Sequence, residues 1–429
     1  MTRAMKDSGI EWIGQIPENW ILTKIKYNNL IYTGNSISDN EKDNYQYQDN
    51  SVPYISTKDI DATTNSITYD TGMFISCMDK NFKIAPKNSS LLCIEGGSAG
   101  KKIGFTERDV CFVNKLCCFQ SLKKCLSKYI YYSLQSSSFL TDFFLSMSGL
   151  IGGVSTKQIK NIFLPIPPLS EQQKIADYLD KRCEKIDTAI DNQKQIIENL
   201  KEYKQSLITE TVTKGLNPNV KLKDSGIEWI GSIPEHWEIK KLKYLFKIKK
   251  NIAGKEGFDI LSVTQSGIKI KDISTNEGQI AQDYSKYQIV NIDDFIMNHM
   301  DLLTGYVDCS HFNGVTSPDY RVFCQIEPTT NSNLYYNYIF QQCYKNKIFY
   351  GLGQGVSGLG RWRLPSDMFL NFTLPQPPLS EQKEITEYLD KKCNQIDEAI
   401  KQKEETISKL EEYKKSLIFE CVTGKKEVA

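Results

Sequence analysis

The sequence predicts an α+β fold in which two globular domains are separated by two long helices forming an antiparallel coiled coil, the whole a pseudo-two-fold tandem repeat. Three observations predict it. A fifteen-residue block recurs almost unchanged, a second block recurs at the far end of each copy, and each second block opens a long helix with one apolar seam.

Residues 6 to 20 read KDSGIEWIGQIPENW and residues 223 to 237 read KDSGIEWIGSIPEHW, differing only at Gln15/Ser232 and Asn19/His236. The second pair is LPIPPLSEQQKIADYLDKRCEKID at 164 to 187 and LPQPPLSEQKEITEYLDKKCNQID at 374 to 397. Between the blocks, residues 21–163 and 238–373 have similar lengths but almost no shared sequence. The matched ends therefore do one job twice. The middles have either come to face different ligands or drifted neutrally.

Pro167 and Pro168 lack amide donors, so residues 164–169 form an extended lead-in, and Ser170 stands where a helix N-cap belongs. Ser170 with Gln173 fits an S-x-x-Q capping box, and Glu171 favours the positive end of the helix dipole. Lys383 replaces that glutamine in the second copy, leaving Ser380 and Glu381. The expected seam runs through Ile175, Leu179, Ile186, Ile190, Ile197, Leu200 and Leu207, and again through Ile385, Leu389, Ile396, Ile400, Ile407, Leu410 and Leu417. Residues 170–213 contain no Gly or Pro and would span roughly 65 Å at about 1.5 Å per residue. A seam that long needs a partner of equal length, and the other helix is the one this chain supplies. Each helix leads from a different globule, so the simplest pairing is antiparallel. The divisions expected are 1–165, a first globular domain; 166–216, the central helix; 217–375, a second globular domain; and 376–429, the C-terminal helix that pairs with the central one.

Composition narrows the function. Lys plus Arg (53) balances Asp plus Glu (52), so any nucleic-acid contact must use local basic patches. Twelve cysteines lack a C-x-x-C pair and zinc-type spacing, which reads as free, mostly buried thiols in a cytoplasmic protein. No metal site is expected, and no apolar run suits a membrane span. The three histidines, His236, His299 and His311, make neither an H-E-x-x-H helix nor a nuclease-like cluster, and no catalytic residue is assigned.

The W-I-G-x-I-P-x-x-W opening, the L-P-x-P-P-L-S-E-Q block, the helix after it and the duplication of the whole resemble type I restriction-modification specificity subunits along essentially the full chain. The resemblance implies that the two globules are target-recognition domains, each reading half of a split double-stranded DNA site, with the helices as spacer. It implies as partners two methyltransferase subunits and restriction/translocase subunits. No cofactor is implied for this chain; S-adenosylmethionine, ATP and Mg²⁺ belong with those partners. Other classes stand beside this reading. They are a specificity subunit of a related combined methylase-nuclease, an enzyme whose activity lies in a diverged domain, and a protein-binding scaffold that does not touch DNA.

Candidate DNA contacts follow from residue type. Residues 351–360 hold five glycines and Gln354 and lead into Arg361-Trp362-Arg363, combining close backbone approach with guanidiniums able to grip guanine O6 and N7. Their counterpart in the first copy is the glycine-containing stretch 149–153 followed by Ser155, Thr156 and Lys157. Lys101 and Lys102 close a glycine-rich turn without phosphate-loop spacing, and Lys269, Lys271 and Lys286 with Tyr284 and Tyr287 form a basic, aromatic patch or a solvated strand face. Ser317-Pro318-Asp319-Tyr320 departs from the amino-methyltransferase tetrad at its third residue and is expected to be a turn entering a strand.

Overall fold

The computed structural model describes residues 3–47, 49–149, 152–272, 281–355 and 362–428. The chain divides into two compact units, Met1–Gln195 with Lys403–Ala429, and Ile196–Gln402. Each unit thus contains one globule and a stretch of both long helices.

In the first unit the opening block folds into a hairpin, Met5–Asp7 against Gln15–Pro17. Its turn is set by Asp7, whose Oδ1 accepts from Gly9 N at 3.0 Å. The chain then enters an antiparallel sheet ordered Asn29–Thr33, Leu116–Ser121, Ser90–Cys93, Ile103–Phe105. A second sheet, Phe74–Ser76, Ser51–Ile55, Val110–Phe112 and Ile84–Ala85, contains one parallel pair, Ser51–Ile55 with Val110–Phe112. The helices are α1 (Ser127–Gln135), α2 (Ser137–Leu145), the short α3 (Thr156–Ile159) and α4 (Leu169–Lys214). Ser136, extended at ψ 147°, ends α1 and caps α2 through its hydroxyl, which separates the two helices.

The second unit repeats the plan on different residues. Its hairpin pairs Leu222–Asp224 with Ser232–Pro234, and its sheet is ordered Phe246–Lys249, Arg321–Gln325, Phe295–Met297, Val307–Cys309. The helices are α5 (Asn333–Lys345), α6 (Ile348–Gly351), α7 (Ser366–Asn371) and α8 (Leu379–Val422). The diverged middles share a topology that their sequences conceal.

The two repeated blocks of each copy meet. The strand that follows the opening block, Ile21–Lys24, pairs with Phe163–Ile166 of the proline lead-in, and Glu238–Lys241 pairs likewise with Thr373–Gln376. Trp20, fully buried, donates from Nε1 to Glu171 Oε2 at 3.0 Å, and Trp237 donates to Glu381 Oε2 at 2.8 Å. Arg3 holds the Glu171 carboxylate from outside in the first copy, whereas His236 Nε2 lies 2.6 Å from Glu381 Oε1 in the second. The adjacent glutamine ties the helix to the globule. Gln172 accepts from Leu126 N at 2.7 Å just before α1, and Gln382 accepts from Ser332 N at 2.7 Å just before α5.

The capping box expected at Ser170 is corrected. α4 begins at Leu169, so Ser170 already lies within the first turn, and Gln173 Nε2 reaches forward to Asp177 at 2.8 Å. The glutamate and glutamine that follow Ser170 instead serve tertiary contacts.

The direction of helix pairing is visible within each unit. Near the start of α4, Asp187 binds Lys414 of α8 at 2.7 Å, and Tyr129 of α1 donates to both Pro165 O and Val422 O. In the second unit Lys204 of α4 binds Asp397 of α8 at 2.7 Å, and Lys214 at the end of α4 shares a groove with Glu381 and Ile385 at the start of α8. Increasing number in one helix thus meets decreasing number in the other, an antiparallel pair. Of the seam, Ile175, Leu179, Ile186, Ile190, Ile197, Ile385, Leu389, Ile396 and Leu417 are buried, and Leu200, Leu207, Ile400, Ile407 and Leu410 are partly exposed. Near the end of α4 burial passes from Leu207 to Ile208 and Val212, because there the helix packs on the globule as well as on its partner.

Each helix ends on a left-handed glycine packed against the buried tryptophan of its unit. A Cβ on Gly424, at φ +72°, would lie 2.4 Å from Pro17 Cγ, and one on Gly215, at φ +76°, would lie 3.2 Å from Trp237. Gly424→Ala is expected to lower the unfolding free energy measured in urea by at least about 1 kcal/mol, more than a surface substitution does. Glu171→Ala strands the Trp20 donor in the core, and is expected to cost about 1–3 kcal/mol in the same measurement. Midpoints matching the parent chain would remove the roles assigned here.

Candidate DNA interface

In the first globule two glycine-bearing loops are bound to each other. Gly96 N donates to Gly152 O at 2.9 Å, Glu95 and Gly153 form an isolated antiparallel bridge, and Val154 N donates to Ile94 O at 3.0 Å. This brings the 95–102 turn beside the segment that begins α3. Lys101 is exposed and lines a groove of about 480 Å³ with Leu134, Phe144, Asp187 and Lys414. Lys102 spends its ammonium on Thr57 O at 2.8 Å. Ser155 caps α3 in a reciprocal box with Gln158, Thr156 opens that helix, and Lys157 is exposed on it. Lys101 and Lys157 therefore keep ammonium groups facing solvent, while Lys102 and Ser155 make structural contacts.

The same two loops meet in the second globule. Gln354 and Arg363 exchange backbone hydrogen bonds of 2.8 and 2.9 Å, and Leu364 N donates to His299 O at 2.9 Å. Trp362 donates to Tyr350 O at 2.7 Å with its ring 5.3 Å from that of Tyr350, an approach that Gly353 permits, since a Cβ there would lie 2.4 Å from the indole Nε1. Gln354 and Arg363 are exposed; Arg361 and residues 356–360 lie outside the described residues.

Beside this junction opens a cleft of about 650 Å³, lined among others by Lys271, Tyr284, Tyr287, Asp319, Tyr320 and Trp362. It gathers features that the sequence presents as three separate segments: the lysine-tyrosine patch, the tryptophan next to the glycine-rich loop, and the Ser317–Tyr320 turn. Lys269 is exposed on the half-buried hairpin Leu261–Thr264/Gly267–Ile270 that leads to Lys271, and Lys286 is exposed. Sequence reasoning missed the cleft because its walls come from segments up to a hundred residues apart. The buried Gln288 would have been the subtlest clue. Its Nε2 donates to Ser317 O and Tyr320 O, fixing the turn that enters strand Arg321–Gln325.

Behind the cleft a basic group is buried. Arg321 donates to Leu364 O at 2.8 Å and to Ser366, lies 4.7 Å from the Phe369 ring, and has no carboxylate partner among the described residues. Burial pushes its guanidinium down to about 10. No group of three His, Cys, Asp or Glu side chains is arranged to hold a metal ion among the described residues, and none of their helices is long and apolar enough to cross a membrane.

A family model for the type I restriction modification DNA specificity domain matches this chain twice, over residues 23–210 and 234–409. The chain belongs to the type I restriction-modification DNA specificity family. It is 26% identical to the type I restriction enzyme MjaVIII specificity subunit of Methanocaldococcus jannaschii, over 96% of this chain and 94% of that one. It is 25% identical to the EcoKI specificity subunit of Escherichia coli over 54% of this chain and 48% of that one. In fold it resembles a chain solved in work on complex assembly and conformational transition of the type I restriction-modification system, at TM-score 0.72 and 13% identity over 96% and 99% of the two chains. The HsdS subunit of Thermoanaerobacter tengcongensis superposes at TM-score 0.54, with 13% identity over 98% and 100%.

For this type I specificity chain the pH response of the second globule follows from His299. Burial, with Arg321 and then Arg363 adding to it, pushes its imidazole from 6.5 down to about 4. Once unfolded, His299 takes up a proton as pH falls through about 6.5, whereas in the folded chain it stays neutral until about 4. Between those values the unfolded state binds more protons, so this residue makes stability fall as pH falls. Thermal melts from pH 7 to 4 should show a shallower loss for His299→Gln than for the parent chain; parallel curves would contradict the assignment.

Proposed function

We propose that each globule reads one half of a bipartite double-stranded DNA site and that the chain directs two methyltransferase subunits and restriction/translocase subunits to it. The observation that carries the reading is the repetition of one loop junction in two globules whose conserved ends are superimposable in role and whose junction residues differ. Family membership supplies DNA as the ligand. The divisions 1–165 and 217–375 then serve as target-recognition domains, and 166–216 and 376–429 as the helices that hold them at a set spacing. Lys101, Lys157, Lys269, Lys271, Gln354, Arg361 and Arg363 are candidates for the DNA-facing set, while Lys102, Ser155 and Thr156 would shape it from behind. Methyl transfer from S-adenosylmethionine and ATP- and Mg²⁺-dependent restriction belong in this reading to the partners. The buried cysteines, ten of twelve and all unpaired, suit the reducing cytoplasm.

Exchange of residues 238–373 for the corresponding segment of another member is expected to change one half of the methylated motif and leave the other half intact. Insertion of four helical residues after Gln193 adds about 6 Å to α4 and is expected to change the gap between the halves. Sequencing methylated bases genome-wide reads both results. A motif unaltered by either edit would refute the proposal, and DNA binding by the assembled complex that ignores salt would refute the phosphate contacts.

A further inference from the structure

The Ser317–Tyr320 turn looks incidental in sequence, yet the fold places it in the wall of the second globule's cleft. Gln288, 5% exposed, clamps both ends of the turn through one amide, so Asp319 and Tyr320 are presented on a fixed backbone. Around them stand Tyr284 and Tyr287, whose rings meet edge to face at 5.0 Å. Tyr287 is within electrostatic reach of Tyr284, Tyr320 and Asp319 together. The Tyr284 hydroxyl is buried with no hydrogen-bond partner among the described residues.

The cleft holds two carboxylates in different conditions. Asp301 is committed internally, accepting from Leu303 N at 3.0 Å, Thr304 N at 2.9 Å and the Thr304 hydroxyl. Asp319 makes no side-chain hydrogen bond among the described residues and is exposed. A carboxylate at a DNA-reading face is repelled by phosphate and is tolerated where a base offers it an N–H. In the major groove those donors are the exocyclic amino groups of cytosine and adenine. Guanine and thymine offer acceptors at the corresponding positions, which a carboxylate rejects.

We propose that this cleft is a specificity-determining base site in which Asp319 accepts the exocyclic amino group of an adenine or cytosine, with Tyr287 and Tyr320 as the aromatic wall. The inference rests on the reading of the chain as a DNA-recognition subunit. Asp319 acts by selection, excluding the wrong base through an unpaired charge. Lys271 lines the same cleft.

The test uses the full chain assembled with its methyltransferase partners, and duplexes carrying the host's methylated motif. In the half-site assigned to residues 238–373, each adenine is replaced in turn by purine and each cytosine by pyrimidin-2-one, which lack the amino group. One replacement is expected to weaken binding about tenfold. With Asp319→Ala, which leaves no acceptor, that same replacement should cost less than twofold, and the methylated motif should become degenerate at that position. Because the Asp319 side chain is exposed, the variant's melting curve should match the parent's. Parent-like binding of every amino-deleted duplex overturns the inference, as does an equal loss with Asp319→Ala. Should exchange of residues 238–373 leave the motif unaltered, the DNA-recognition reading itself falls and this inference with it.

Discussion

The structure hangs on a buried hydrogen bond made twice, from the indole of Trp20 to Glu171 and from that of Trp237 to Glu381. Each bond joins the first repeated block of a copy to the second, across a globule of about 140 intervening residues that share almost no sequence with their counterparts. A buried indole N–H without an acceptor is costly, and a partly buried carboxylate without a donor is more so, which ties both residue types to their places. The neighbouring glutamine extends the clasp into the first turn of α1 or α5. Two consecutive residues in the first turn of each long helix, Glu and Gln, thus hold a tryptophan and orient a globule.

The clasp explains which parts of the sequence can vary. In each unit the sheet, α1 or α5 and the two helix segments share one hydrophobic core, which includes Trp20 with Leu179 and Leu417, or Trp237 with Val212 and Leu389. The outer strands have small cores of their own, Ile55, Leu91 and Phe112 among others in the first unit, and Leu261, Val290 and Val322 in the second. The cleft of the second globule is walled partly by Leu261 and Ile260 of that outer layer. The cleft is thus shaped by side chains that take no part in the clasp.

What the sequence discloses follows the range of the interactions. The repeat, the length of the helices and their seam are local or periodic signals, and α4 and α8 match them to within a residue at the start of each helix. Ser170 misleads because Pro168 sits immediately before Leu169 and lets the helix begin a residue earlier than the hydroxyl suggests. The cleft is nearly illegible. Lys271, Tyr287, Asp319 and Trp362 come from four segments, and nothing in their spacing indicates that two loop junctions draw them together. Lys102 and Ser155 show the same difficulty in reverse, since residue types suited to phosphate are occupied by Thr57 O and by a helix cap.

The two copies also differ in a way that identifies the invariant part of the clasp. Arg3 closes over Glu171, with Asn19 accepting from the same guanidinium at 3.0 Å, whereas in the second copy His236 occupies the place of Asn19 and contacts Glu381 itself. The outer partner has changed from a permanent cation to an imidazole while the tryptophan has not. An outer contact at the edge of solvent is worth little and can be exchanged, because water replaces most of what it supplies. The inner hydrogen bond has no such substitute, so it is the indole and the carboxylate, and not the charge that covers them, that two copies of one unit have kept in common.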